Sequence, residues 1–264
     1  SKEMYVFDDK GGDSMALRPE GTAPVVRAYY SNKLKHSLPL KLMYVGAPMF
    51  RYERPQKGRF RQFHQIGIET LGIADAWADV EVITAGVAML EALGLTDLEV
   101  RLNTLGTKED RTTYRSELLK YFEPIKGQLS EESKERLGKN PLRVLDSKQK
   151  EDQKFIPDAP KPADFLSAES QAFYAKVKEG LTALNIKFIE DSTLVRGLDY
   201  YTHTVFELHS TALGAQSQVL AGGRYDGLFE TMGNEQVPAV GFGCGIERLE
   251  MLLEKEIATP TDIA

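Results

Sequence analysis

The side chains best suited to chemistry crowd into one short stretch. From Phe50 to Glu69 the sequence reads FRYERPQKGRFRQFHQIGIE, with Arg51, Arg54, Lys57, Arg59 and Arg61 set among aromatic residues. Guanidinium groups stay protonated and grip phosphate or carboxylate through a planar fork. Such a stretch either holds a polyanion or is a solvated basic loop. On paired strands, alternate side chains face opposite ways. Arg51 and Glu53 then share one face. On the return strand Arg61, Phe63, Gln65, Gly67 and Glu69 share a face, while Gln62, His64, Ile66 and Ile68 take the other. Ile66 and Ile68 are natural core residues. The opposite face offers a cation, a ring, an amide, a gap and a carboxylate in order, and the gap at Gly67 marks close approach of a ligand. An exposed sheet face with a charged turn has the same composition, so both readings stand.

Three later segments carry further candidates. VRGLDYYTHT (residues 195–204) sets an Arg-Gly corner before two tyrosines that, on a strand, point to opposite faces, so at most one lines a given pocket. AGGRYDG (221–227) is a glycine-rich turn with a tyrosine. GFGCGIERL (241–249) lacks the spacing and the βαβ setting of a dinucleotide loop. Its Arg248 falls at a helix start, where a cation is disfavoured by up to ~1 kcal/mol unless an anion binds there. A local ion pair with Glu247 is the structural alternative. No phosphate-loop lysine motif and no G-x-S-x-G elbow occurs, and His36, His64, His203 and His209 are scattered, so neither a serine hydrolase nor a metal held by dedicated protein ligands is expected.

These residues need elements to position them. The runs 4–7 and 15–17 flank a polar turn and read as a hairpin. A helix is predicted over 23–35, with Thr22 as its cap. Residues 42–53 and 60–71 read as antiparallel strands, because their connection is too short for a parallel crossover. A helix over 75–93 carries Trp77, Val80, Ile83, Val87 and Leu90 on its apolar face and stops at Gly94. After Gly106 the composition turns rich in Lys, Glu, Ser and Pro, with helices near 108–122, 130–138 and 168–184. Strands then resume over 194–208, 218–224 and 238–245. A last helix, 246–256, turns Ile246, Leu249 and Leu253 to one side. The whole chain of 264 residues carries a net charge of -6 with 42% hydrophobic residues, as a soluble globular protein does. Its single cysteine fits a reducing cytosol, and no apolar run is long enough for a membrane span. The acidic balance argues against a nucleic-acid coat while permitting a local basic site.

Taken in order, LRPEGT (17–22), FRYE (50–53) with RFRQF (59–63), RGLDYYT (196–202), GGRYD (222–226) and GFG…GIER (241–248) resemble the catalytic domain of the histidyl-tRNA synthetase family. The resemblance runs over nearly the whole chain, LNTLG (102–106) included. FRYE and GIER are similar to motifs 2 and 3 of class II synthetases in general. The resemblance implies an α+β fold, an antiparallel sheet flanked by helices, divided as 1–106 (catalytic, first part), 107–188 (helical insertion) and 189–264 (catalytic, second part).

It also implies roles. Arg51 would hold the α-phosphate of ATP and the histidine carboxylate, Glu53 would contact the adenine amino group, and Phe63 would stack on the base. Arg59 and Arg248 would hold the outer phosphates. Glu20, Thr22, Gln65, Glu69 and Tyr201 would line the histidine pocket, joined by Tyr200 and Tyr225 from the signature segments. Arg196 would be the catalytic arginine, acting with Arg51. Mg²⁺ would arrive with ATP, and the partners would be L-histidine, ATP and tRNA(His). A cytoplasmic homodimer is the family's form. Motif 1, the dimer-building segment expected before Ser1, and an anticodon-binding domain expected after Ala264 are missing from the chain, which therefore reads as a catalytic-domain fragment whose dimerisation is in doubt. The rival readings are the regulatory subunit of ATP phosphoribosyltransferase, which shares the fold without the catalytic signature, and an uncharged-tRNA or histidine sensor.

Overall fold

A computed structural model of the chain describes residues 4–56, 58–194, 200–210 and 217–253. Lys57, Arg196 and the end of the last expected helix lie outside them. A small hairpin, β1 (Val6–Asp8) and β2 (Ser14–Ala16), precedes α1 (Thr22–Ser31). Next come β3 (Leu40–Phe50), β4 (Gln62–Leu71), α2 (Trp77–Ala92) and β5 (Leu98–Thr104). Four helices follow: α3 (Lys108–Phe122), α4 (Glu131–Lys139), α5 (Lys150–Gln153) and α6 (Ala168–Ala183). The chain continues through β6 (Phe188–Glu190), β7 (Thr202–Ser210), β8 (Gln218–Arg224), α7 (Gly227–Gly233), β9 (Ala239–Gly245) and α8 (Ile246–Leu252).

Seven strands form one sheet in the order β3-β4-β9-β8-β7-β5-β6, antiparallel throughout except for the β5–β6 pair. One transverse row of partners matters most for the site. Tyr44, Gly67, Gly243, Ala221, Glu207 and Arg101 are successive neighbours across β3, β4, β9, β8, β7 and β5. Gly243 and Ala221 occupy the middle of the row, flanked on one side by Tyr44, whose ring covers Gly67, and on the other by Glu207 and Arg101, which makes a trough across the strands.

The opposite sheet face is apolar. Ile66 and Ile68 turn that way, as alternation requires, and join Phe206, Leu208, Leu220 and Phe242 beneath Val80, Ile83 and Leu90 of α2. Val177 and Leu181 of α6 belong to the same cluster, so α6 completes the helical layer over the sheet. It approaches closely at Gly180, where a methyl group would overlap Val80 and Trp77. A second core joins α1 and α7 to α3 and the segments up to Ala159. Two buried aspartates brace that region. Asp110 takes the backbone N–H of Thr107 and Ser167 and the Ser170 hydroxyl, fixing the starts of α3 and α6. Asp152 takes the hydroxyls of Ser130, Ser133 and Ser147 around the start of α4.

Several expectations change. The β3–β4 ladder ends at Phe50 and Gln62, and a looser turn follows, closed by Arg51 N–H to Arg61 C=O at 2.9 Å. Pro55 cannot donate to a ladder and Gly58 takes φ +72°, so strand geometry stops there. Trp77 sits at the first turn of α2 and is 53% exposed rather than core. In α8 it is Leu249 and Leu252 that are buried, while Leu253 follows the helix and is exposed. No helix among the described residues is long and apolar enough to cross a membrane.

Candidate active site

The trough opens into a cleft of about 910 Å³ that gathers residues from distant parts of the chain. Glu20, Thr22, Arg51, Glu53, Arg59, Phe63, Gln65, Tyr200, Tyr201 and Arg248 all line it. Glu69 and Tyr225 are buried behind it, joined to the cleft through Thr22. Arg196 falls outside the described residues.

One end is built on carboxyl groups. Glu20 precedes α1 and accepts the backbone N–H of Thr22 at 2.5 Å and of Ala23 at 3.0 Å. Glu20, not Thr22, therefore satisfies the helix start, since a carboxylate meets two free N–H groups there. Thr22 instead donates its hydroxyl to Glu69 Oε1 at 2.7 Å, and the Tyr225 hydroxyl donates to Glu69 Oε2 at 2.6 Å. The Glu69 side chain lies over Gly241, where a methyl group would collide with it. Burial pushes the Glu69 pKa from 4.5 up to about 8, against the opposing pull of the Tyr225 and Thr22 hydrogen bonds. Burial raises that of Glu20 as well. Gln65 Oε1 is buried with no hydrogen-bond partner among the described residues.

Cations gather at the other end. Arg51 donates Nε to Pro19 C=O at 2.8 Å and stands 5.6 Å over the Phe63 ring. The largely buried Glu53 carboxylate pairs with Arg59 and lies 3.9 Å from Arg51. Arg248 donates Nε to Gly58 C=O at 2.9 Å and a terminal nitrogen to Gln218 C=O, linking the 54–61 turn to β8. Its expected partner Glu247 is engaged elsewhere, accepting both the backbone N–H and the ring Nδ1 of His64 at 2.8 Å. Burial, with Arg59 nearby, lowers the Arg248 pKa.

Three local readings are corrected. Arg61 does not join the cleft face. It lies beyond the ladder, stacks 4.9 Å from the Tyr52 ring and stays exposed. Tyr200 and Tyr201 both line the cleft, because β7 begins only at Thr202 and alternation does not apply to them; their ring centroids are 4.8 Å apart. The space above Gly67 is taken by Tyr44, its cross-strand partner, whose ring a methyl on Gly67 would overlap.

Two functional-looking features had escaped the sequence. Tyr44 is one. The other is a fully buried pair behind the site: Arg224 Nε meets Asp79 Oδ2 at 3.0 Å, and the same guanidinium donates to Ile73 C=O and to Asp226 Oδ1. The GGRYD segment showed the arginine, but its partner stands far away in α2 and left no local signal.

A family model for the tRNA synthetase class II core domain (G, H, P, S and T) matches residues 5–256. The chain belongs to this family. A histidine–tRNA ligase of Lactiplantibacillus plantarum is 54% identical over 99% of this chain and 63% of its own length. One from Gluconacetobacter diazotrophicus is 52% identical over 100% of this chain and 64% of its own length. The chain thus spans less than two thirds of these class II relatives. The apo histidyl-tRNA synthetase of S. aureus superposes with a TM-score of 0.76 at 39% identity, covering 95% of this chain and 60% of that one. A Bacillus halodurans protein described as an ATP phosphoribosyltransferase regulatory subunit/histidyl-tRNA synthetase shares the fold, with a TM-score of 0.68 at 24% identity over 97% of this chain and 69% of that one.

Proposed function

We propose that this class II core activates L-histidine with ATP and passes it to tRNA(His), as a histidine–tRNA ligase. The supporting observation is the single cleft that sets a carboxyl-lined pocket next to a cluster of arginines. A histidine carboxylate oxygen attacks the α-phosphorus of ATP, the bond to the bridging oxygen breaks, and pyrophosphate leaves. A terminal ribose hydroxyl of the tRNA then attacks the acyl carbon, losing its proton as AMP departs.

Displacement at phosphorus needs in-line placement and charge neutralisation more than a strong base. Arg51 is assigned to the α-phosphate and the histidine carboxylate, Arg59 and Arg248 to the outer phosphates of ATP supplied as its Mg²⁺ complex. Phe63 would stack on adenine and Glu53 would accept from its amino group. The orphaned Gln65 Oε1 suits an α-ammonium donor, with Glu20 and Thr22 beside it. Glu69, braced by Tyr225, and Tyr201 with Tyr200 would read the donor and acceptor nitrogens of a neutral imidazole. Buried polar contacts of that kind reject amino acids that cannot satisfy them. Arg196, from the signature segment, would stabilise charge at the α-phosphate. The 107–188 segment is assigned as the helical insertion, its last helix α6 returning to pack on the sheet, and the working form as a cytoplasmic homodimer.

Histidine-dependent ATP–pyrophosphate exchange tests the assignment. Arg196→Ala should lower the exchange rate at least a hundredfold while histidine affinity changes little. Equal losses in both would remove the transition-state role. Absence of exchange from well-folded full-length protein would remove the ligase itself.

A further inference from the structure

Tyr44 lies where the amino-acid pocket needs a floor. On β4 Phe63 and Gln65 line the cleft, Gly67 and Glu69 follow on the same strand face, and Tyr44 pairs with Gly67. Its ring covers Gly67 and abuts Gly21 at the start of α1; a methyl on either glycine would overlap it. Its hydroxyl reaches toward Gly243 on β9. Glycines from three separate segments thus leave room for a single phenol. That phenol covers Gly67, the β4 position between Gln65 and Glu69, and lines the cleft, where Gln65 Oε1 is buried without a partner among the described residues.

A glycine opposite an aromatic residue is commonly a packing device, with the ring shielding exposed backbone. Here the shielded backbone faces a polar cleft, and the ring ends up as part of the cleft wall. Without it the pocket would deepen to the β4 backbone, and a small ligand between Gln65 and Glu69 would lose its apolar support.

We infer that Tyr44 is a specificity-determining residue that forms the floor of the amino-acid pocket, against which the bound histidine rests. The inference deepens the proposed function and rests on it. The ring supplies the support, and the hydroxyl, hydrogen-bonded to Thr22, holds the ring in place. Histidine should therefore feel the loss of the ring, and ATP, held by the arginines at the far end, should not.

The experiment is ATP–pyrophosphate exchange on full-length protein carrying Tyr44→Phe, Tyr44→Leu or Tyr44→Ala. Tyr44→Phe should keep the histidine KM within threefold. Tyr44→Leu and Tyr44→Ala should raise it at least tenfold while the ATP KM stays within twofold, which also reports a folded site. Tyr44→Ala should in addition admit ring-methylated histidines that the parent excludes. A histidine KM within twofold in Tyr44→Leu or Tyr44→Ala, or parallel rises for histidine and ATP, would overturn the floor assignment and leave the ligase reading intact. If the parent protein itself shows no exchange, both fall together.

Discussion

At Glu69 two demands meet. The proposed reading of an imidazole calls for a dry carboxyl, and dryness disfavours its charge. Thr22 and Tyr225 supply hydrogen bonds to both oxygens, yet burial prevails and the pKa stands at about 8. A carboxyl whose folded pKa lies above its ordinary 4.5 binds a proton on folding between those values. Its contribution to stability is complete below 4.5 and drains away as pH rises through about 8. Glu69→Gln cannot ionise and should escape that loss. Thermal unfolding at pH 5 and pH 8 should show the parent losing stability relative to Glu69→Gln, on the order of a few kcal/mol. Parallel profiles would contradict the burial assigned to Glu69. In the sequence Glu69 stood out by alternation alone, since Gln65, Gly67 and Glu69 fall on one face of a true strand. The same counting failed at Arg61 and at Tyr200, where the chain had left strand geometry. Beyond the ladder the counting loses its hold: Arg51 and Glu53 still line the cleft together, while Arg61 does not.

Among the elements, the strands and helices that place the site depend on a few buried polar contacts. Arg224 and Asp79 tie the end of β8 to the first turn of α2, and Asp226 reaches on to the Ala239 N–H at the start of β9. Tyr225, which holds Glu69, sits between those two tethers. Asp79→Ala would leave the buried Arg224 guanidinium with the part-exposed Asp226 as its remaining carboxylate, a loss toward the low end of about 3–5 kcal/mol. Replacing both partners with apolar residues of similar volume should cost much less. Chemical denaturation of the single and double variants separates the cases; a cost below about 1 kcal/mol for Asp79→Ala would remove the buried charge from the account. Helix extents were legible because caps and apolar spacing are local: α3 spans Lys108–Phe122, as composition suggested, with Thr107 as its cap. Long-range partners such as Asp79 and Arg224 leave no such trace. Neither does the bracing of α4 by Asp152. There burial would raise the carboxyl pKa, but the hydroxyls of Ser133 and Ser147 hold it below the usual range.

For the molecule as a whole, charge is unevenly shared. The chain carries -6 overall, while Arg51, Arg59 and Arg248 converge on one end of the cleft. ATP should then sense ionic strength and zwitterionic histidine should not. Raising salt from about 0.05 to 0.5 M shortens the Debye length severalfold. The ATP KM should rise several-fold while the histidine KM moves less than twofold, as steady-state exchange would reveal. Comparable shifts for both substrates would place the arginines away from the nucleotide.

The transverse row has a temporal side as well. Gly67, Ala221 and Gly243 stand next to one another in the sheet, yet the ribosome makes them far apart, with the helical segment between. A nascent chain that has delivered both the 54–61 turn and Glu69 still lacks the strand that separates them from β8. On the proposed function, the nucleotide end of the cleft is complete only once β9 stands between β4 and β8 and Arg248 follows it. The basic turn is thus made early and armed late.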